Sequence, residues 1–166
     1  MCFKFSSFFA SLAVAAFAPS AVFAQTPSAQ FTVQITIAGA CQINSATNMD
    51  FGSHGVLTTN TDATSLLTVQ CTNTTPFNLA LSAGSGGSGA TVTNRLMTGT
   101  GGATVTYSLY QTAARDTVWG TTVGTNTLAG TGTGAPQQFT VYGRVPPQNT
   151  PAPGAYTDTV TATISY

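Results

Sequence analysis

The feature that most constrains the fold of this chain is a repeated alternation of apolar and polar residues over short stretches. The first instance is Phe31–Ile37, in which apolar residues at every second position alternate with Thr and Gln. A period of two residues is typical of a β-strand that buries one face. The period of 3.6 residues that would indicate amphipathic helices is not sustained anywhere after the first two dozen residues.

Five later stretches show the same alternation and are separated by turn residues. The apolar positions that we expect on their buried faces are Leu67, Val69 and Cys71; Phe77, Leu79 and Leu81; Val105, Tyr107 and Leu109; Phe139, Val141, Gly143 and Val145; and Tyr156, Val160, Ala162, Ile164 and Tyr166. Short alternating strands of this kind are typical of a β-sandwich. The sequence therefore predicts an all-β fold in one domain, closed by a long strand over Thr157–Tyr166.

The first 24 residues have the pattern of an export signal. Lys4 supplies the positive charge, Phe8–Phe17 is the apolar run, and Val22-Phe23-Ala24 offers small residues at positions −3 and −1 of a signal-peptidase site. The apolar run is short for a membrane anchor, and no stop-transfer pattern follows it. We therefore expect cleavage after Ala24 and export of residues 25–166.

Removal of that segment would leave a chain with very little charge. Its charged residues would be three cations and four aspartates, with no Lys and no Glu: Arg95, Arg115, Arg144, Asp50, Asp62, Asp116 and Asp158. Such a chain has no basic surface for nucleic acid or for an anionic membrane. Arg144 and Asp158 flank the last two predicted strands, and we expect them to form a structural ion pair.

Two cysteines, Cys41 and Cys71, follow the predicted cleavage site. An even pair in an exported protein indicates one disulfide. Closing a loop of about 30 residues would stabilise the fold by roughly 3 to 4 kcal/mol in the chain-entropy model. The alternative is a pair of metal ligands, but His54 is the only histidine and no metal-ligand spacing is present.

The chain also lacks the residues that catalysis requires. One histidine and four scattered aspartates provide neither an acid–base pair nor a triad, so we expect no enzyme activity, no catalytic residue, no cofactor and no metal. The glycine-rich segment Gly84–Gly89 has the composition of a phosphate-binding loop. It lacks the Lys-Ser/Thr ending and a following helix, and we interpret it as a flexible hairpin tip.

Several short motifs occur in the order found in one protein family. They are Cys41 with Asp50-Phe51-Gly52, Val69-Gln70-Cys71, Pro76-Phe77, Leu79-Ala80-Leu81-Ser82, Arg95-Leu96-Met97, Tyr107-Ser108-Leu109-Tyr110, Ala113-Ala114-Arg115 and Trp119-Gly120. The most specific come last: Val141-Tyr142-Gly143-Arg144-Val145-Pro146 and Gly154-Ala155-Tyr156-Thr157-Asp158-Thr159-Val160. With this set, the chain resembles the spore coat protein U domain of archaic chaperone–usher pilus subunits.

The resemblance implies a fold and a mode of assembly. Subunits of this family have an immunoglobulin-like, pilin-type β-sandwich that lacks its last strand, which leaves an apolar groove. A periplasmic chaperone first fills the groove, and at the outer-membrane usher the N-terminal strand of the next subunit replaces the chaperone. For this chain, the resemblance makes residues 25–38 an N-terminal extension with the donor strand and residues 39–166 the sandwich domain.

The resemblance also assigns the residues of each surface. Phe31, Val33, Ile35 and Ile37 are the predicted donor residues, and Val160, Ala162, Ile164 and Tyr166 lie on the predicted edge strand of the acceptor groove. The chain stops at this strand, so we expect nothing after Tyr166 to pair with its outer edge. Burial of the four donor side chains would contribute roughly 6 to 12 kcal/mol before opposing terms.

The predicted function is a structural subunit of a surface pilus that serves adhesion and biofilm formation. Its expected partners are neighbouring subunits, a periplasmic chaperone and an outer-membrane usher, and its expected location is the periplasm and then the cell surface. Two alternatives stay open. In the first, the protein is a secreted spore or cell-surface coat protein. In the second, it is a monomeric binding domain whose opening strand fills its own groove.

Overall fold

A computed structural model describes residues 23–166 of the chain. Its internal contacts divide the chain into two units, 1–35 and 36–166. The described part of the first unit, residues 23–35, contains no helix or strand, and its residues are exposed. The predicted export signal lies outside the described residues except for its last two positions, Phe23 and Ala24.

Residues 36–166 contain eight strands in two antiparallel sheets. The strands are β1 (Cys41–Ala46), β2 (Thr61–Cys71), β3 (Pro76–Leu81), β4 (Arg95–Thr98), β5 (Thr104–Tyr110), β6 (Leu128–Thr131), β7 (Gln137–Val145) and β8 (Ala162–Ser165). One sheet has the order β1-β2-β7-β5-β4 and the other β6-β3-β8. A single 3₁₀ turn over Thr100–Gly102 is the only helical segment in this unit. The predicted all-β fold is confirmed.

The core lies between the two sheets and is made of the side chains that the alternation predicts. Those that are at most 6% exposed are Leu67, Val69, Cys71, Phe77, Leu79, Leu81, Val105, Tyr107, Leu109, Val141 and Val145. Phe139 is half-buried and packs edge-on against Phe77, with ring centroids 5.9 Å apart. Trp119 joins them from a loop, fully buried, and donates its indole N–H to the Leu79 carbonyl oxygen at 2.8 Å.

The predicted disulfide between Cys41 and Cys71 is confirmed. The two cysteines are directly opposite one another in the pairing of β1 with β2. Because β1 is an edge strand with a single neighbour, the disulfide anchors it at the end where the chain enters the sheet.

The prediction of one long closing strand over Thr157–Tyr166 is wrong, because the last strand of the structure is only Ala162–Ser165. Thr157 pairs with Thr98, at the end of β4 in the five-stranded sheet, whereas Ala162–Ser165 pair with β3 in the other sheet. The chain therefore crosses from one sheet to the other between these two points. Both sheets direct apolar side chains into the same core, so alternation continues through the crossing and does not reveal it.

The predicted ion pair between Arg144 and Asp158 is also wrong. Arg144 alternates with inward-facing neighbours in β7, so its side chain lies on the outer face of the sheet, opposite Asp62 of β2. Its Nε and one Nη atom donate to the two carboxylate oxygens of Asp62 at 2.7 and 2.8 Å, and Arg115 approaches the same carboxylate at 3.3 Å. The hydrogen bonds from Arg144 hold the pKa of Asp62 below its ordinary value.

Candidate strand-binding groove

One side of the sandwich lies between two edge strands, β1 of the five-stranded sheet and β8 of the three-stranded sheet. The two strands are close to one another. Within residues 23–166, β1 pairs only with β2, and β8 pairs only with β3. Each therefore keeps one edge on which main-chain N–H and C=O groups are available to another strand.

Along this side, apolar side chains that pack against the core are incompletely buried. They belong to β1, to the segment after it, and to β8 with its approach: Ile43, Met49, Phe51, Tyr156, Val160, Ala162 and Ile164. Their counterparts in β2, β3 and β5 are almost completely covered, as are Val141 and Val145 of β7. A row of half-covered apolar side chains between two free strand edges is what a sandwich shows where one strand is missing.

The four residues predicted on the acceptor edge fall in this region, although not all within the strand. Ala162 and Ile164 are in β8 with half-buried side chains, and Val160 precedes the strand in the same half-buried row. Tyr166 follows the strand and is 64% exposed. Three of the four thus line the interior side of the edge, and Tyr166 lies beyond its end.

A cleft of about 860 Å³ opens at one end of this side, between the loops 49–57 and 150–156. Core residues Val105 and Val145 line it together with Met97, Phe51 and Tyr156. Phe51, which belongs to one of the motifs that carry the family resemblance, packs edge-on against Tyr107 with ring centroids 6.2 Å apart. The cleft gives access to core side chains that the shorter three-stranded sheet does not reach.

The predicted donor residues are exposed, unlike the half-buried side chains of the candidate groove. Phe31, Val33, Ile35 and Ile37 are 87%, 85%, 82% and 71% exposed, and no strand includes them in the isolated chain. Four apolar side chains at alternate positions would all lie on one face if the segment became extended. The donor assignment remains a prediction.

Sequence reasoning missed a polar cluster where the chain crosses between the sheets. The Tyr107 hydroxyl donates to one carboxylate oxygen of Asp158 at 2.7 Å, and the Ser85 N–H donates to the other at 2.7 Å. Tyr107 is almost completely buried. Its burial and the hydrogen bond to Asp158 raise the pKa of its hydroxyl well above the ordinary value.

Arg95 is fully buried beside this cluster. Its guanidinium donates to the carbonyl oxygens of Ser82, Val92, Leu81 and Trp119 at 2.8, 2.7, 3.1 and 2.8 Å. Burial lowers the pKa of Arg95, and the negative charge of Asp158 opposes that shift. The signal that could have revealed the cluster is the scarcity of charge, which makes each remaining Arg and Asp a candidate for an internal role.

The glycine-rich loop does not form the flexible hairpin tip that we predicted. A Cβ atom at Gly84 would overlap the Asp158 carboxylate. One at Gly86 would overlap the Leu96 carbonyl oxygen and come within 2.9 Å of the Asp158 carboxylate carbon, and one at Gly87 would come within 2.9 Å of Leu96. Gly84 also has φ of +88°, which side chains of L residues rarely adopt. The loop is thus packed around Asp158, and glycine is required for that approach.

Two further observations concern residues 23–166. No three His, Cys, Asp or Glu side chains lie close enough together to hold a metal ion in this range. The same range holds no helix with the length and apolar character needed to cross a membrane.

The order of strands and the open side can now be compared with known proteins. The family model for the Spore Coat Protein U domain matches residues 27–163. The chain belongs to the Spore Coat Protein U domain family. Protein U of Myxococcus xanthus is a similar relative, 33% identical over 171 residues, which cover 95% of this chain and 93% of the relative.

A solved structure has a similar fold. It is the crystal structure of the CsuC–CsuE chaperone–tip adhesion subunit pre-assembly complex from the archaic chaperone–usher Csu pili of Acinetobacter baumannii. One of its chains superimposes with a TM-score of 0.57 at 19% sequence identity and covers 79% of this chain. The match spans only 40% of that chain. The predicted pilin-type β fold is confirmed by this likeness.

Proposed function

We propose that this protein is a structural subunit of a surface pilus that assembles by donor-strand exchange through a chaperone–usher pathway. The observation that carries the proposal is the combination, in one chain, of a sandwich with a half-covered apolar side and an exposed segment of alternating apolar residues. Membership in the Spore Coat Protein U domain family supports it. The likeness of the fold to a chain from a chaperone–subunit complex of pili supports it as well.

The two surfaces are complementary in chemistry. The free edges of β1 and β8 offer main-chain hydrogen bonds to an incoming strand, and the half-covered side chains between them offer apolar contacts. A segment from Phe31 to Ile37 would span about 20 Å when extended and would present four apolar side chains to that side. Addition of a strand to a sheet edge in this way is an established mode of peptide recognition.

The contact would be directional. The donor segment of one subunit would bind to the half-covered apolar side of the next. This contact joins two different surfaces and is therefore heterologous. Such contacts need not close into a ring, and one donor with one acceptor per subunit gives a linear polymer. We expect the fibre to serve adhesion and biofilm formation.

The partners and the location follow from the same proposal. An unfilled apolar side with free strand edges would aggregate, so a periplasmic chaperone would cover it until an outer-membrane usher adds the subunit to the fibre. Residues 1–24 would direct export across the inner membrane. The protein would then pass from the periplasm to the cell surface.

A second candidate is a coat protein of a spore or cell surface. Similarity to Protein U of Myxococcus xanthus over nearly the whole of both chains favours it. The same strand contact could build a layer instead of a free filament. Electron microscopy of the producing cells distinguishes the two, because filaments extend from the surface and a coat follows its contour.

Deletion of Gln30–Ala38 tests the proposal. We expect the truncated protein to fold and to bind its chaperone, since the acceptor side is intact, but to form no fibres. Fibres of normal length from this variant would contradict the donor assignment. An ordered, protease-resistant segment 30–38 in a purified monomer at high concentration would instead indicate that the strand fills its own groove.

A matched pair of substitutions sharpens the test. Ile35→Asp places a charge on the apolar face of the segment and should abolish assembly, because an unpaired charge would be buried. Gln34→Asp changes the neighbouring position on the opposite face and should leave assembly largely intact. Equal effects of the two substitutions would contradict an alternating donor strand.

A further inference from the structure

The strand β8 is held by little regular structure. It has four residues, it pairs with β3 alone, and Thr163 and Ser165 are exposed. An edge strand of this length has few main-chain hydrogen bonds to keep it in place. Something besides the strand pairing must hold it beside the core while its other edge is unoccupied.

Asp158 holds the segment that leads into β8. Its carboxylate accepts hydrogen bonds from the Tyr107 hydroxyl at 2.7 Å, the Ser85 N–H at 2.7 Å and the Thr159 N–H at 2.6 Å. Tyr107 belongs to the five-stranded sheet, and Ser85 belongs to the loop after β3 of the other sheet. The carboxylate therefore joins both sheets at the place where the chain crosses between them.

The loop and strand around Asp158 are themselves fixed. Arg95 donates to the carbonyl oxygens of Leu81 and Ser82, at the end of β3. Ser82 in turn exchanges two hydrogen bonds with Thr161, one through its N–H and one through its hydroxyl, both at 2.9 Å. The next residue, Ala162, begins β8 opposite Leu81. Arg95 thus fixes the end of β3, Ser82 links that end to Thr161 just before the edge strand, and Asp158 fixes the loop that follows Ser82.

We propose that Asp158 is a positioning residue of the acceptor groove, which fixes the crossing segment so that β8 stands in register before any donor strand arrives. The inference rests on the proposed function. The physical effect is preorganisation of the groove, because a strand edge that is already in place loses less conformational entropy when another strand binds to it. Asp158 itself would not touch the donor.

The test measures binding of a synthetic peptide of residues 30–38 to the full chain. The parent protein carries Val33→Asp and Ile35→Asp, so that it cannot act as a donor to another copy. Fluorescence anisotropy gives the Kd of the labelled peptide for this parent and for the same protein with Asp158→Ala or Tyr107→Phe. Asp116→Asn is the matched control, because Asp116 is exposed and its hydrogen bonds are local: its carboxylate accepts from the hydroxyls of Thr112 and Thr117.

We expect Asp158→Ala to weaken peptide binding by about 10- to 100-fold, as for the loss of hydrogen bonds to a charged group. Tyr107→Phe should weaken it by about 3- to 10-fold, because one hydrogen bond is lost and the others remain. Asp116→Asn should bind as the parent does. Hydrogen exchange should accelerate selectively at the amides of β8 and of the glycine-rich loop.

Four results would decide against the inference. Unchanged peptide affinity in folded Asp158→Ala would overturn it, as would a rise in hydrogen exchange spread evenly over both sheets, which indicates general destabilisation. If Asp158→Ala does not fold, an unchanged affinity in Tyr107→Phe overturns it. If the parent binds no peptide, the proposed function fails and the inference falls with it.

Discussion

Arg95 is a cation in the interior of the sandwich. Its side chain is fully buried, and within residues 23–166 no carboxylate lies within ion-pair distance of it. Four main-chain carbonyl oxygens, from three separate segments, accept its hydrogen bonds. A planar guanidinium with five N–H donors can satisfy several acceptors at once, which a lysine ammonium cannot do in the same geometry.

We expect Arg95→Met to lower the free energy of unfolding by about 3 kcal/mol or more, because buried carbonyl groups would lose their donor. Arg144→Met is the control. It removes a partly exposed pair with Asp62, and such pairs contribute less than about 1 kcal/mol. Urea unfolding of both variants measures the difference, and equal midpoints would show that the internal hydrogen bonds of Arg95 add little.

At the scale of strands, alternation in the sequence predicts which side chains face the core. It succeeds for β2, β3, β5 and β7 because each lies in a single sheet with one face buried, so that the parity of a position decides its environment. Parity does not identify the partner of an exposed group. Arg144 pairs with Asp62, 82 residues away, because β2 and β7 are neighbours, and sheet order is a property of the tertiary fold.

For the candidate groove, too, the sequence pattern predicts which side chains share a face but not their tertiary contacts. Alternation and the family resemblance place Val160, Ala162 and Ile164 along one edge, and the structure has them in one half-buried row. The cleft beside Phe51 and the hydrogen bond between Tyr107 and Asp158 depend on contacts between residues about 50 to 100 positions apart. No local pattern encodes such contacts, which arise only when the two sheets pack together.

The loop after β1 packs closely against Gly143 of β7, which has no side chain. A Cβ atom at Gly143 would overlap the Met49 sulfur and come within 2.9 Å of the Phe51 ring. We expect Gly143→Ala to displace this loop and to destabilise the fold by about 1 to 3 kcal/mol, as overpacking does. Thermal unfolding followed by circular dichroism measures the change.

Two further variants identify the cause. Adding Met49→Ala to Gly143→Ala should restore part of the lost stability, because it vacates the space that the new methyl group requires. Gly154→Ala is the control, since no atom lies within 4 Å of a Cβ at that position, and it should change the stability by less than about 0.5 kcal/mol. A lack of rescue by Met49→Ala would argue against a steric origin.

At the scale of the whole molecule, scarcity of charge determines which forces act between copies. Residues 25–166 carry three arginines and four aspartates, a net charge of −1. Arg95 is buried, and Arg115 and Arg144 both approach Asp62. Long-range electrostatic attraction, which speeds association when charges are dense, is therefore weak, and the proposed contacts between subunits would depend on apolar burial and main-chain hydrogen bonds.

We expect the affinity of the acceptor side for the peptide of residues 30–38 to change by less than about threefold between roughly 0.02 and 0.5 M NaCl, because few exposed charges are available for screening. Anisotropy titrations at several salt concentrations test this expectation. A loss of affinity of tenfold or more with added salt would show that ionic contacts dominate the interaction.

If the protein is exported as proposed, the burial and pairing of its arginines would also affect its lifetime outside the cell. Trypsin-like proteases require a basic side chain in their specificity pocket and an accessible, flexible segment around it. From residue 23 onwards the chain has three basic residues apart from His54. The side chain of Arg95 is inaccessible, that of Arg115 is 12% exposed, and that of Arg144 is bonded to a carboxylate on a neighbouring strand. The folded protein thus presents such enzymes with hardly any accessible bond to cleave, which would be useful for the proposed subunit once it is displayed among secreted hydrolases.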